Sequence, residues 1–273
     1  MFTREGLMSL FSGIIWGSVS CILLLAFISP VSLAKPSRPG ASRVVAIDAG
    51  HSAGNPGAFS ARGVGEYSFN STVAGIVLEE LKKQSRICPV LINRDGDDIS
   101  LSKRIDLINQ ENPDLLVSIH HDSVQPFLLE KWKWEGKSAY YCDRYSGFSV
   151  FYSGKNEKPA ESLRLALLLG RAMVEEGYQP SLHHAEKIKG ENRPIVDKQK
   201  GVYRFDDLAI LRSAKCPGVL LECGIIKNRR DELLLRSNAH QLKISAAIIR
   251  AVAQFTAEIG QDQGSTSAKA PEH

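Results

Sequence analysis

From residue 42 onward, short β-branched runs alternate with longer segments of helical period. That pattern fits an α/β domain: a mostly parallel, twisted sheet flanked by helices. The strand candidates are residues 44–48, 90–93, 115–119, 149–152 and 219–222. Between them, residues 66–83 carry Phe69, Val73, Ile76, Val77 and Leu81 at helical spacing, enough to cover one sheet face. Residues 161–176 form a second helix, closed by Gly177 where a left-handed cap is favoured. Residues 231–259 read as one or two more helices ending at Gly260, and the polar stretch 261–273 reads as a disordered tail. Two segments, 123–147 and 179–201, fit no regular element. With 273 residues, 43% of them apolar, the chain can bury the core of one globular domain.

The N-terminus has a separate reading. Arg4 precedes an almost uncharged stretch, 6–34, broken by Pro30 and closed by the small residues Ser32 and Ala34. Residues 1–34 are therefore expected to be a signal peptide cleaved after Ala34, or else an uncleaved membrane anchor, with 35–42 as linker. Either reading implies an exported protein in the periplasm or cell envelope. The net charge of +4 is a small bias toward anionic envelope polymers and no signature of nucleic-acid binding. Beyond the N-terminal stretch stand Cys88, Cys142, Cys216 and Cys223. Disulfides or isolated small apolar residues are both open for them, although Cys216 and Cys223 flank one extended strand and lie too far apart to bond each other.

Three strands lead into side chains able to do metal or proton chemistry. Asp48-Ala49-Gly50-His51 follows the first, His120-His121-Asp122 the third, and Glu222 the last. In open parallel sheets ligands bind beyond the carboxyl ends of strands, so these groups should converge in one crevice. Glu66 lies three residues before Phe69 and would point toward the buried side of its helix, a costly place for a carboxylate without a cation. Two imidazoles and one carboxylate, with a fourth position for water, form the ligand set of a hydrolytic zinc site. Glu222 would then be the general base that takes a proton from water as it attacks an amide carbonyl. The glycine-rich segment 50–57 lacks the Gly-Lys-Ser/Thr ending of a phosphate loop and the spacing of a dinucleotide fingerprint.

These motifs, in this order, resemble the zinc-dependent N-acetylmuramoyl-L-alanine amidase family. The opening pattern stands as Asp48-Ala49-Gly50-His51, Pro56-Gly57, Gly65-Glu66 and then Asn70. The middle pattern stands as Arg94, Asp97 or Asp98, Leu101, Arg104 and Asn109, leading into Ser118-Ile119-His120. The closing pattern is Val219-Leu220-Leu221-Glu222, Gly224 and Asn228. The resemblance implies a catalytic domain over 43–260, His51, Glu66 and His120 as zinc ligands, and Glu222 as the catalytic glutamate. It also implies peptidoglycan as substrate, a possible protein activator, and Asn70 as a candidate substrate contact. Arg212 corresponds to an arginine common in the family, and either a contact to an acidic group of the stem peptide or a structural salt bridge would explain it.

The chain departs from the family pattern in three places. His121 stands where a small residue is usual; strand alternation lets only one of the doublet face the metal, and the motif match assigns that role to His120. A substrate contact or a polar loop residue are the two readings of His121. The segment 123–147, with Trp132, Trp134, Tyr140, Tyr141 and Tyr145, is either a lid or glycan-binding wall or a small satellite core. In 179–201, Glu186 and Glu191 could reach the metal as an inhibitory ligand, but a solvated charged loop is the expectation, and His183 and His184 are expected not to bind metal. Two rival functions remain open, a zinc peptidase or carboxypeptidase on stem peptides and an inactive peptidoglycan-binding module.

Overall fold

The computed structural model describes residues 42–267, with side chains through residue 260. The signal or anchor expected at 1–34 lies outside the described residues. A seven-stranded sheet forms the centre, in the order β2-β1-β3-β9-β6-β8-β7. Its strands are β1 (Arg43–Ala49), β2 (Ile87–Ile92), β3 (Leu115–Asp122), β6 (Ser149–Tyr152), β7 (Ile195–Asp197), β8 (Val202–Arg204) and β9 (Gly218–Ile225). Pairs β1–β2, β1–β3, β3–β9 and β6–β8 are parallel, whereas β6–β9 and β7–β8 are antiparallel. The sheet is mostly parallel, as expected, with its direction reversed beside β9.

On one face lie α1 (Glu66–Lys82), α3 (Pro159–Glu175) and α6 (Asn238–Ser267). Their apolar stripes pack on Val45, Ile47, Val117, Ile119, Val219 and Leu221, with Phe69, Val73, Val77 and Leu81 buried from α1. The other face, carrying Ala46, Leu116 and Leu220, packs on Ile108 of α2 (Leu101–Gln110) and on Ile210 and Leu211 of α4 (Ala209–Ser213). Alternate strand residues thus serve opposite faces, and that parity decides where each histidine of the site points.

Several boundaries differ from the sequence reading. Strand β2 begins at Ile87 and includes Pro89, which is tolerated because β2 is an edge strand with no neighbour on one side. The last helical region is two helices, α5 (Arg229–Leu235), capped by the Asn228 side chain, and α6, which continues through Ser267 past the stop expected at Gly260. The end of the expected tail lies outside the described residues. Segment 123–147 is not irregular: β4 (Glu130–Trp134) and β5 (Lys137–Tyr141) form a separate antiparallel hairpin. On it Arg62 and Arg229 lie over the rings of Trp132, Trp134 and Tyr141, with Arg229 3.8 Å from the Tyr141 centroid. Segment 179–201 likewise contains a short 3-10 turn at His183–Ala185 and strand β7. Cys88, Cys142, Cys216 and Cys223 are all free, the last three buried. No helix among the described residues is long and apolar enough to cross a membrane.

Candidate metal centre and active site

Strand β1 delivers the first side chain. After Ala49 the chain turns through Gly50 into His51, whose φ of 68° is in the left-handed region that a residue with a side chain seldom adopts. A buried network holds that turn. The Arg104 guanidinium donates to Asp48 Oδ1 at 2.7 Å, to the Ala49 carbonyl at 2.8 Å and to the His51 carbonyl. Ser118 Oγ donates to the other Asp48 oxygen at 2.6 Å. Arg104 thus clamps the backbone of the residue that presents the imidazole.

Glu66 is the first residue of α1, where the helix dipole favours a negative charge. Its carboxylate lies between two imidazoles, Oε2 at 3.0 Å from His51 Nε2 and Oε1 at 3.0 Å from His120 Nδ1. Burial alone would raise the Glu66 pKa, but the hydrogen bonds to His120 and then His51 outweigh it and hold the carboxyl well below the ordinary range. One ligand atom from each of His51, Glu66 and His120 lies within 4.8 Å of the other two, a spacing suited to a single metal ion. Two imidazole nitrogens and a carboxylate oxygen are the donors zinc prefers.

Two glycines make the space. A Cβ on Gly50 would fall 2.1 Å from the His120 ring, and one on Gly57, itself at φ 75°, would fall 2.6 Å from both Glu66 Oε2 and the His51 ring. Gly50→Ala is therefore expected to displace His120 and weaken metal affinity by about 10–100-fold. Competition with a chromogenic chelator would measure this, while an unchanged far-ultraviolet circular dichroism spectrum would show the fold intact.

His120 and Glu222 are Cα partners across the parallel β3–β9 pair. Directly paired residues present their side chains to the same face, so the Glu222 carboxyl is on the His120 side of the sheet. Glu222 lies three residues inside β9 and not at its end, and its Oε2 is buried without a hydrogen-bond partner. Burial, reinforced by the charges of Asp122 and Glu66, pushes the Glu222 carboxyl far above the ordinary carboxylate range in the metal-free protein. It borders a cleft shared with Asp122, Gln125, His184, Glu191 and Arg193.

His121 faces the opposite way. It is the seventh residue of β3, so it is neither a loop residue nor a substrate contact: it is 1% exposed, against the Phe69 ring at 5.3 Å. Burial keeps it neutral, with its pKa pushed down to about 3. Asn70 is also fully buried and cannot touch substrate. Its amide donates to the Gly50 carbonyl and to Glu66 Oε1, and its Oδ1 lies 2.8 Å from His121 Nδ1, so it positions the metal cluster from behind. Arg212 is exposed on α4 and makes no ion pair among the described residues.

Neither glutamate of segment 179–201 belongs to the His51–Glu66–His120 cluster. Glu186 accepts from the Tyr145 hydroxyl at 2.7 Å. Glu191 is bound by His184 at 2.8 Å, Gln125 and Arg193; burial would raise its pKa, but these contacts bring it down to about 2. His183 and His184, expected from the sequence not to bind metal, are buried and brought together with Asp122.

A mostly parallel α/β sheet bearing a His-Glu-His cluster, with a buried carboxylate beside it in register, has the donor types and the proton acceptor that a metal-dependent hydrolase requires. The sequence profile of the N-acetylmuramoyl-L-alanine amidase family matches residues 45–254, and the chain belongs to that family. A putative N-acetylmuramoyl-L-alanine amidase of Buchnera aphidicola subsp. Schizaphis graminum is 25% identical over 221 residues, covering 77% of this chain and 94% of the relative. The N-acetylmuramoyl-L-alanine amidase of Clostridium difficile 630 superposes with a TM-score of 0.62 at 22% identity, covering 79% of this chain and 97% of its own. The CwlD amidase of Clostridioides difficile, solved in complex with the GerS lipoprotein, superposes with a TM-score of 0.58 at 19% identity, covering 80% of this chain and all of its own.

Proposed function

We infer that this chain hydrolyses the amide bond between N-acetylmuramic acid and L-alanine in peptidoglycan, with zinc held by His51, Glu66 and His120 and with Glu222 as general base. The observation that carries the reading is the pairing of His120 with Glu222, which sets an unpartnered carboxyl oxygen beside the metal cluster. The donor chemistry of the cluster fits zinc. When bound, zinc supplies a Lewis acid that acidifies a water and polarises the scissile carbonyl.

The chain's own residues do the rest. Glu222, set beside the cluster by its pairing with His120, would in its ionised form accept the water proton and return it to the departing alanine nitrogen. Asn70 and Arg104 hold the ligand set in place without touching substrate. Arg212, exposed at the end of the helix that follows the cleft-lining Leu208, is the residue assigned to an acidic group of the stem peptide. Residues 1–34 direct export to the periplasm or cell envelope in this reading, and a protein activator acts on the chain; that a structural relative, the CwlD amidase, was solved in complex with the GerS lipoprotein supports a protein partner. Family membership favours the muramoyl amide over a peptide bond within the stem.

The test is digestion of purified peptidoglycan by the full chain, with mass spectrometry of the products. Release of intact stem peptides beginning at L-alanine, abolished by chelator and restored by zinc, is the expected result. Cleavage within the stem would establish a peptidase instead, and bound zinc without any product would establish a non-catalytic binding module.

A further inference from the structure

We propose that Asp122, His183 and His184 form a second metal-binding site, of zinc-like preference, that pins segment 179–201 to the end of β3. The Nε2 atoms of both histidines are buried without a hydrogen-bond partner, although Asp122 Oδ2 lies 3.3 Å from His183 Nε2 and 2.9 Å from His184 Nε2. The nitrogens face the carboxylate oxygen without the alignment of a hydrogen bond. All three candidate ligand atoms lie within 4.8 Å of one another.

The opposite ring nitrogens are already engaged. Ser181 Oγ lies 2.9 Å from His183 Nδ1, and Glu191 Oε2 lies 2.8 Å from His184 Nδ1. A metal-ligating histidine commonly holds its other nitrogen in such a contact. The Glu191 carboxylate only accepts, which places the proton of a neutral His184 on Nδ1 and leaves its Nε2 lone pair free, and the Ser181 hydroxyl can accept from His183 Nδ1 in the same way. Glu191 is itself held by Gln125 and Arg193, so the support extends a further layer. The two imidazole rings are 3.8 Å apart between centroids, and Tyr145 packs against His183 and Phe151 against His184. Two nitrogens and one oxygen form a borderline donor set that suits zinc and not calcium or magnesium.

The topology explains why the site exists at all. Asp122 extends strand β3 two residues beyond His120, while His183 and His184 sit on a single 3-10 turn far along the chain. A metal there ties the long connection between α3 and β8 to the strand that carries His120. Asp122, His184, Glu191 and Glu222 border one cleft, so the tie also fixes a wall of the active site. The proposal is independent of the bond the enzyme cleaves.

The test is metal stoichiometry by inductively coupled plasma mass spectrometry on the full chain, equilibrated with zinc and desalted. Two equivalents are expected for the wild type, one for His51→Ala/His120→Ala and one for His183→Ala/His184→Ala. A single equivalent in the wild type, unchanged in His183→Ala/His184→Ala, would overturn the proposal and leave Asp122, His183 and His184 as an ion-pair network. Because the double alanine variant could fail to fold, cobalt(II) is also titrated into His51→Ala/His120→Ala, whose second cluster is intact. A ligand-field band saturating at one equivalent and lost on adding Asp122→Asn is expected, and no cobalt uptake overturns the site.

Discussion

Glu222→Gln is expected to lose hydrolysis by about 10²–10⁴-fold while keeping its zinc content and, in the metal-free state, to melt at a higher temperature than the wild type. The activity loss follows because an amide cannot accept the water proton. The stability gain follows from the opposite requirement. Burial, with the Asp122 and Glu66 charges, raises the folded-state pKa above the ordinary 4.5, so ionising Glu222 at neutral pH disfavours the folded state. Below pH 4.5 both the folded and unfolded chains carry that proton, and the difference between variant and wild type should vanish. Differential scanning calorimetry of the metal-free proteins across this range is the measurement. Equal melting temperatures at neutral pH would show that Glu222 is not desolvated as described, and retained activity would remove it from the reaction.

Arg104→Ala should be the most damaging single substitution outside the metal ligands. Arg104 and Asp48 have side chains 7% and 0% exposed, and removal of the cation leaves a buried carboxylate together with two unpaired backbone carbonyls. Breaking a buried pair in this way costs about 3–5 kcal/mol, or roughly 6–20 °C in melting temperature for a domain of this size. Arg104→Lys keeps the charge but cannot span Asp48, Ala49 and His51 at once, so an intermediate loss is expected. Because the same guanidinium clamps the His51 backbone, zinc affinity should fall alongside stability. A melting temperature unchanged in Arg104→Ala would refute the network's role.

The parts of this molecule that were legible in the sequence are those with a local signature. Strands β1, β3 and β9 showed as apolar β-branched runs because both of their faces are covered by helices. Of the residues gathered around the first cluster, His51, His120 and Glu222 showed because each stands after or within such a run, and Glu66 because of its helical spacing to Phe69. The hairpin β4–β5 carried a usable signal that a search for apolar runs passes over. Trp132 and Trp134 alternate with lysines, and Glu135-Gly136, with φ of 50° and 76°, forms a two-residue turn suited to strand twist. What had no local signature was pairing between distant segments. The antiparallel placement of β6 beside β9, the contact of Asn70 with His121, and the convergence of His183 and His184 on Asp122 depend on which segments the sheet order makes neighbours. The loop reading of His121 failed for that reason, and the burial of His183 and His184 went unread: each looks polar in sequence, and each is buried against an element remote from it.

The β3–β9 register also joins groups from opposite ends of the chain. His51, Glu66 and His120 come from the first half of the chain, where β1, α1 and β3 pack on one another, whereas Glu222 joins them only when β9 docks against β3. Because strand side chains alternate, a docking error of one residue would turn the Glu222 carboxyl to the far face and leave the water without a base. The last strand of the sheet thus supplies the buried carboxylate, and none of the three candidate metal ligands lies on it. The two halves of the candidate site are therefore joined by a single strand pairing, and its register is the property on which their meeting depends.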